Sequence, residues 1–438
     1  MEISKNQRVD ALLLSNLFKF FRELDRRIKV LLSFIGVHQF DQQLTLQYNS
    51  LYAIGLGANP VQLGLLTSIR SFMSSIFALP GGWLVDKYGS KKVVLLGLAL
   101  MAAVAALYGL ANSWLIIIPA FFMFGIGSQL ILPYVDMLFI TYGGAKNKSL
   151  IMSLSRTIWA IGPQSLAPIV AAILINNFGG LSAGASAFRP LYYLQLVLAV
   201  LVVGGIFVFL KAPKNSTTHS GEKGVERVKK RGNFIQDIRE VFEGEKCLKR
   251  WIFTFALRQV ETNVATAFIP LWLVMKGATP STIGIMTAVG MISYTLLQIP
   301  VGMLSDKIGR KKTYILIRPF FFVATLLLIW APSPDWLLLV GLLGGNVFGG
   351  TAVGIAGTSQ IPLITMEWEM VQPEKRGRWH GIETVFGIVT FPAAIFGGIL
   401  WEQGLGWVNL ALPVLLDVLI VIPILLTIPE TLGRTDLR

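Results

Sequence analysis

Two carboxylates stand in the middle of long apolar stretches of this 438-residue chain, Asp41 and Glu261. Each has a basic residue three positions earlier, His38 before Asp41 and Arg258 before Glu261, which on a helix puts both members of a pair on one face. A charged side chain at the centre of a bilayer costs about 2.5–3.5 kcal/mol on insertion scales, so each must face a cavity or a partner. Burial disfavours an ionised carboxylate and a nearby cation favours it. A carboxyl moved between those two surroundings binds a proton on one side of a membrane and releases it on the other, so the pattern points to proton coupling. The rival use of the same residues is a static buried ion pair that fixes helix packing. Arg70, halfway along the second apolar stretch, is a further candidate partner for Asp41. Arg70 and Arg258 are alternatively placed to hold the carboxylate or phosphate of a solute. Gln42, Gln43, Gln47, Tyr48 and Asn263 add polarity around these charges, and Gln129 and Gln360 add it from other stretches, enough to hydrogen-bond a polar or amphiphilic solute.

The elements that must hold these residues are membrane spans. Apolar residues make up 54% of the chain and charged residues 14%. A soluble domain carries about 25% charged residues, so lipid must cover most of this surface. Twelve stretches reach the roughly 20 residues a span needs: 30–54, 60–84, 91–112, 114–140, 149–176, 188–210, 249–275, 281–304, 312–331, 336–366, 378–400 and 407–428. The expected fold class is an all-α polytopic membrane protein. The net charge of +14 does not indicate nucleic acid, because 32 of the 38 Lys and Arg lie in the terminal segments and alternate loops. The opposite loops hold only Arg189 and Lys276, an asymmetry that places both termini in the cytoplasm and the chain in the plasma membrane. Residues 1–29 read as a cytoplasmic amphipathic segment lying on the inner leaflet, and 211–248 as a cytoplasmic linker with a short amphipathic helix around Phe234 and Phe242. No cleavable signal precedes the first span, and the single cysteine, Cys247, rules out a disulfide framework. There is no P-loop and no Cys/His cluster, so neither ATP, a structural metal nor another cofactor is expected. Gly180-Leu181-Ser182-Ala183-Gly184 matches a nucleophile-elbow pattern, but it lies between membrane helices rather than on a strand-to-helix turn, so no enzyme is expected.

The chain also repeats itself. Gly82-Trp83-Leu84-Val85-Asp86-Lys87-Tyr88-Gly89-Ser90-Lys91-Lys92 returns 220 residues later as Gly302-Met303-Leu304-Ser305-Asp306-Lys307-Ile308-Gly309-Arg310-Lys311-Lys312, and the same offset pairs Asp41 with Glu261. Two parallel halves follow, 30–210 and 249–430, each of six spans, with a cytoplasmic tail at 431–438. The duplicated GxLxD[KR]xG[RK][RK] loop resembles the signature of the major facilitator superfamily. Gly57-Ala58-Asn59-Pro60, Gly277-Ala278-Thr279-Pro280 and Pro373-Glu374-Lys375-Arg376-Gly377 are similar to that family too. Pro429-Glu430-Thr431-Leu432-Gly433 resembles the tail of its sugar-porter branch, although the span-seven sugar motif is missing, and Gly162-Pro163 is a fragment of the antiporter motif.

The resemblance implies two bundles rocking about a central site. It implies that the loops carrying Gly82, Asp86, Lys87, Gly89, Lys91 and Gly302, Asp306, Lys307, Gly309, Arg310, Lys311 latch the cytoplasmic side through charge networks. Glu383, at the cytoplasmic mouth of span eleven, is a possible member of that gate. Asp136 and Arg156 are expected to pair near the surface, and Arg318 and Asp417 to be structural, in spans that are peripheral in this family. The expected function is secondary active transport by a monomer in the lipid bilayer, proton-coupled, exporting a small organic or amphiphilic compound. Proton-driven uptake of a sugar or organic anion, uniport and a non-transporting nutrient receptor are the alternatives.

Overall fold

A computed structural model describes residues 25–131, 135–139, 155–210, 246–348, 351–372 and 375–432. The N-terminal segment, the linker up to residue 245 and the tail beyond Leu432 lie outside the described residues. The chain is all-α in class, and its helices are laid out in two six-span halves.

The repeat governs helix boundaries to the residue. Span one is Arg26–Leu46 continued by Asn49–Gly55, and span seven is Lys246–Thr266 continued by Ile269–Met275; the lengths are 21 and 7 residues in both. Spans two and eight, Pro60–Tyr88 and Pro280–Ile308, are 29 residues each. Spans three and nine, Ser90–Leu110 and Arg310–Trp330, are 21 each. The reason is local chemistry duplicated along with the sequence. Asn59 closes a capping box, its side chain accepting from the Gln62 amide at 2.7 Å while the Gln62 side chain accepts from the Asn59 amide at 2.9 Å. Thr279 caps span eight from the Thr282 amide at 3.2 Å, and Pro60 and Pro280 occupy first-turn positions that need no amide. Gly89 and Gly309 stop these helices with φ of +82° and +107°, a turn that only glycine makes without strain.

The remaining spans are Trp114–Gln129 for span four, Ser155–Asn177 for span five, Ala185–Phe209 for span six, Gly381–Glu402 for the apolar part of span eleven and Gly406–Thr427 for span twelve. Eight of the described helices are long and apolar enough to cross a membrane. Spans one and seven fall short on hydropathy because they carry His38, Asp41, Arg258, Glu261 and their glutamines. Span ten departs from the expected continuous helix. Trp336–Leu343 stops at Gly344, Gly345–Phe348 pairs antiparallel with Thr351–Val353, and the helix resumes at Gly354–Gly357 and Gln360–Met370. Positive φ at Gly344 and Gly354, +71° and +66°, turns the chain at both ends of this ribbon. The glycines here therefore break the helix rather than pack it against a neighbour.

The halves meet along spans two and eleven and along spans five and eight. A Cβ on Gly64 would lie 2.2 Å from the Ala394 carbonyl, on Gly398 2.5 Å from Pro60 O, and on Gly284 2.6 Å from Pro168 O. Tyr48 donates to Pro280 O at 3.2 Å, Asn176 to Ser281 at 2.8 Å, and Ser71 to Asn263 Oδ1 at 2.9 Å. These contacts gather at mid-depth and at the end opposite the Gly89 and Gly309 loops. Large apolar side chains such as Leu110, Phe207, Leu296 and Trp330 face outward, as lipid contact requires. Gly64→Ala should destabilise the seam by about 1–3 kcal/mol, the usual cost of overpacking. Gly204→Ala, with open space around its Cβ position, should change nothing; thermal unfolding in detergent compares the two.

Candidate functional site

Span seven carries two different faces. Thr254, Phe255, Arg258 and Thr262 recur at helical spacing and line a cavity of about 310 Å³ closed by Tyr294 of span eight and Gln360 of span ten. The Arg258 guanidinium carbon lies 5.7 Å from the Tyr314 ring centroid, and its buried Nε has no hydrogen-bond partner among the described residues. Glu261 points to the other side, into a small gap of about 20 Å³ shared with spans nine and twelve. It is 1% exposed, and neither of its carboxyl oxygens has a hydrogen-bond partner among the described residues.

Next to Glu261 lies an ion pair between Arg318 of span nine and Asp417 of span twelve, both fully buried. Tyr314 donates to the second Asp417 oxygen at 3.2 Å, and Arg318 stacks over Phe321 at 4.2 Å. Glu261 is within electrostatic reach of Asp417, Arg318 and Arg258. Arg318 and Asp417, expected to be structural charges in peripheral spans, pair with each other, and spans nine and twelve set that pair beside Glu261. Asp417 opens a π-helical turn, Asp417–Val421. Pro423, two residues on, lacks the amide that would bond the Leu419 carbonyl, which disposes the helix to this slip.

The N-terminal half uses the equivalent position differently. Asp41 is fully buried, with His38 Nδ1 at 3.4 Å and Gln42 Nε2 donating to it at 2.7 Å. Gln195 of span six donates to the Asp41 backbone carbonyl at 3.3 Å. Leu98 stands where the repeat puts Arg318, so no buried ion pair forms there. Arg70 does not meet Asp41. Its guanidinium sits 5.3 Å from the Phe124 ring of span four, which comes close because Gly125 has no side chain against the Arg70 backbone. Of the expected cavity residues, Gln360 lines the larger cavity. Tyr48 and Asn263 are instead spent on the seam between halves, Gln129 takes a bond to Ser74, and Gln43 is buried in the N-terminal half.

The model of the Major Facilitator Superfamily matches residues 31–276 and 250–436. The chain belongs to the major facilitator superfamily. It is 22% identical to multidrug resistance protein 2 of Bacillus subtilis over 71% of this chain and 70% of that one. It is 23% identical to the cis,cis-muconate transport protein of Acinetobacter baylyi over 74% of this chain and 76% of that one. The crystal structure of a D-xylose–proton symporter overlays with a TM-score of 0.67 at 13% identity, covering 93% of this chain and 99% of that chain. A superfamily member with this fold is a membrane transporter and not an enzyme.

The superfamily's signature loops differ between the halves. After span eight, Arg310 forms ion pairs with Asp306 and with Glu369, the latter at 2.9 Å. Glu430 accepts from the backbone amides of Arg310 and Lys311 at 2.9 and 3.0 Å, a carboxylate seated on the first turn of span nine where the helix dipole favours it. Lys311 Nζ holds the Ile428 carbonyl at 2.6 Å. The chain after span twelve is thereby tied to the loop, and a Cβ on Gly309 would strike Glu430. After span two, Lys87 stacks on Trp83 at 4.8 Å and Lys91 donates to Phe207 O at 3.2 Å. The side chain of Asp86 is outside the described residues. Asp136 and Arg156 do pair, at 2.7 Å.

Glu383 adjoins a second carboxyl that sequence reading passed over. Trp379 Nε1 donates to Glu367 at 2.7 Å, and the Glu383 carboxyl lies beside it. Glu367 and Glu369 fall at the end of an apolar stretch and read as a solvated helix end. Only the distant Glu430, within a tail motif, hinted at a partner for the loop.

Arg318→Met alone should cost about 3–5 kcal/mol by leaving Asp417 uncompensated, and Arg318→Met with Asp417→Asn should recover most of it; thermal unfolding separates the cases. At Glu369, beyond the apolar stretch, partial burial raises the carboxyl but the bonds from Arg310 and Thr431 outweigh it and hold it below the usual range. Its stabilisation is therefore complete above the unfolded value, about 4.3, and is lost as pH falls through the lower folded value. Glu369→Gln should flatten that acid limb of a stability-against-pH profile.

Proposed function

We propose that the chain is a proton-coupled carrier that exports a small organic or amphiphilic compound across the plasma membrane by alternating access. It works as a single chain with both termini in the cytoplasm. The observation that carries this reading is Glu261, fully buried with neither oxygen hydrogen-bonded among the described residues, on the helix that presents Arg258 to the cavity. An ionised carboxylate without partners in such surroundings costs several kcal/mol, whereas the neutral acid does not. Movement of span seven against spans nine and twelve brings Glu261 toward water or toward a guanidinium, where the ionised form is favoured. A one-unit pH gradient supplies about 1.4 kcal/mol per proton, and 100 mV about 2.3 kcal/mol per charge. Asp41, beside His38, is the second coupling group.

In this scheme the signature loops are the cytoplasmic latch. The Asp306–Arg310–Glu369 network and Lys307 act in one half, Asp86, Lys87 and Lys91 in the other, and Glu383 with Glu367 at the mouth of span eleven. The seam at the opposite end is the outer gate. Export is supported by the similarity to a multidrug resistance protein, and proton coupling by the overlay with a proton symporter.

The test uses proteoliposomes holding a pH-sensitive dye, offered pools of sugars, organic acids, amino acids and amphiphilic drugs. At least one pool should move protons through the wild type. Glu261→Gln should abolish that signal while solute exchange persists. Proton movement through Glu261→Gln at the wild-type rate contradicts the assignment.

A further inference from the structure

We infer that the cavity beside Arg258 binds a compact organic anion, a carboxylate or sulfonate, through the Arg258 guanidinium. The inference rests on the carrier reading and narrows its solute to a charge class.

The cavity, at about 310 Å³, is at the small end of the range for ligand pockets. Its lining holds neutral hydrogen-bonding groups from Thr254, Gln259, Tyr294 and Gln360, and among the described residues Arg258 is its only charged side chain. A guanidinium cannot shed its proton to escape burial, so it needs an acceptor. Among the described residues Arg258 makes no ion pair, and its buried Nε is unbonded. The carboxylates nearby do not serve it. Asp417 is consumed by Arg318 and Tyr314, and Glu261 turns into the separate gap toward spans nine and twelve. Tyr314 offers its ring at 5.7 Å, a cation–π contact that still leaves the guanidinium without an anionic acceptor among the described residues.

A guanidinium fork matches the two oxygens of a carboxylate or sulfonate, the bidentate geometry in which arginine excels. Trp251 and Leu363 supply apolar wall for a carbon skeleton. With Glu261 carrying its proton and Arg318 neutralised by Asp417, the pocket keeps one uncompensated positive charge, and an anion completes it.

The test uses the purified full-length protein in detergent and a matched set of ligands: benzoate, benzenesulfonate and succinate, with neutral benzamide and cationic benzylamine of similar shape. Binding is read by isothermal titration and by the rise in melting midpoint. The wild type should bind at least one anion and prefer benzoate to benzamide and benzylamine. Arg258→Gln should weaken the anion by about tenfold or more, as loss of a charged hydrogen bond implies. Arg258→Lys should retain part of the affinity. Equal binding of benzamide or benzylamine, no binding of any anion, or undiminished binding by Arg258→Gln overturns the inference. Comparison of the five ligands on the wild type decides the matter even where a variant fails to fold. Anion binding without proton movement would defeat the coupling proposal and leave this one standing; proton movement driven only by neutral or cationic solutes would do the reverse.

Discussion

Hydrocarbon does not tolerate an unpartnered charge, and that constraint sorts the ionisable residues in the core of this protein. Arg318 and Asp417 satisfy it by pairing; Asp41 meets it only in part, by accepting from Gln42, while its Oδ2 has no hydrogen-bond partner among the described residues. Glu367 satisfies it in part by accepting from Trp379. Among the described residues Glu261 has no hydrogen-bond partner, which leaves protonation as its remaining route, and Arg258 meets the constraint only by facing a cavity. Structural charges and working charges therefore separate by what each one touches rather than by depth in the membrane.

Duplication supplied the scaffold, and divergence supplied the asymmetry. The two halves share helix lengths, caps and turn glycines through their first three spans, because those features are set by short local motifs that were copied whole. Their charges are not shared. The C-terminal half has the Arg318–Asp417 pair where the N-terminal half has Leu98 opposite Arg318, and it has Arg310 where the other has Ser90. The cavity, the unpaired arginine and the loop network all follow in the C-terminal half, while the N-terminal half offers a quieter counterpart against which it can move.

Much of this was legible in the residues. The 220-residue offset foretold the helix boundaries, and the rarity of carboxylates in apolar stretches singled out Asp41 and Glu261. What sequence could not supply was the direction each side chain takes between helices distant in the chain. Arg318 and Asp417 lie 99 positions apart, and only packing of spans nine and twelve against span seven makes them neighbours of Glu261. Arg70 looked close to Asp41 by depth, but helix rotation gives it to Phe124 instead. The break in span ten was hidden for a different reason: glycines serve equally for close helix packing and for leaving the helix, and composition does not distinguish the two.

The central claim is that Glu261 holds a proton while buried. Infrared difference spectroscopy of the purified protein against Glu261→Gln tests it most directly. The account predicts a carbonyl stretch of a protonated carboxyl group in the wild type at neutral pH that is absent from the variant. A difference spectrum containing only ionised carboxylate bands would contradict it.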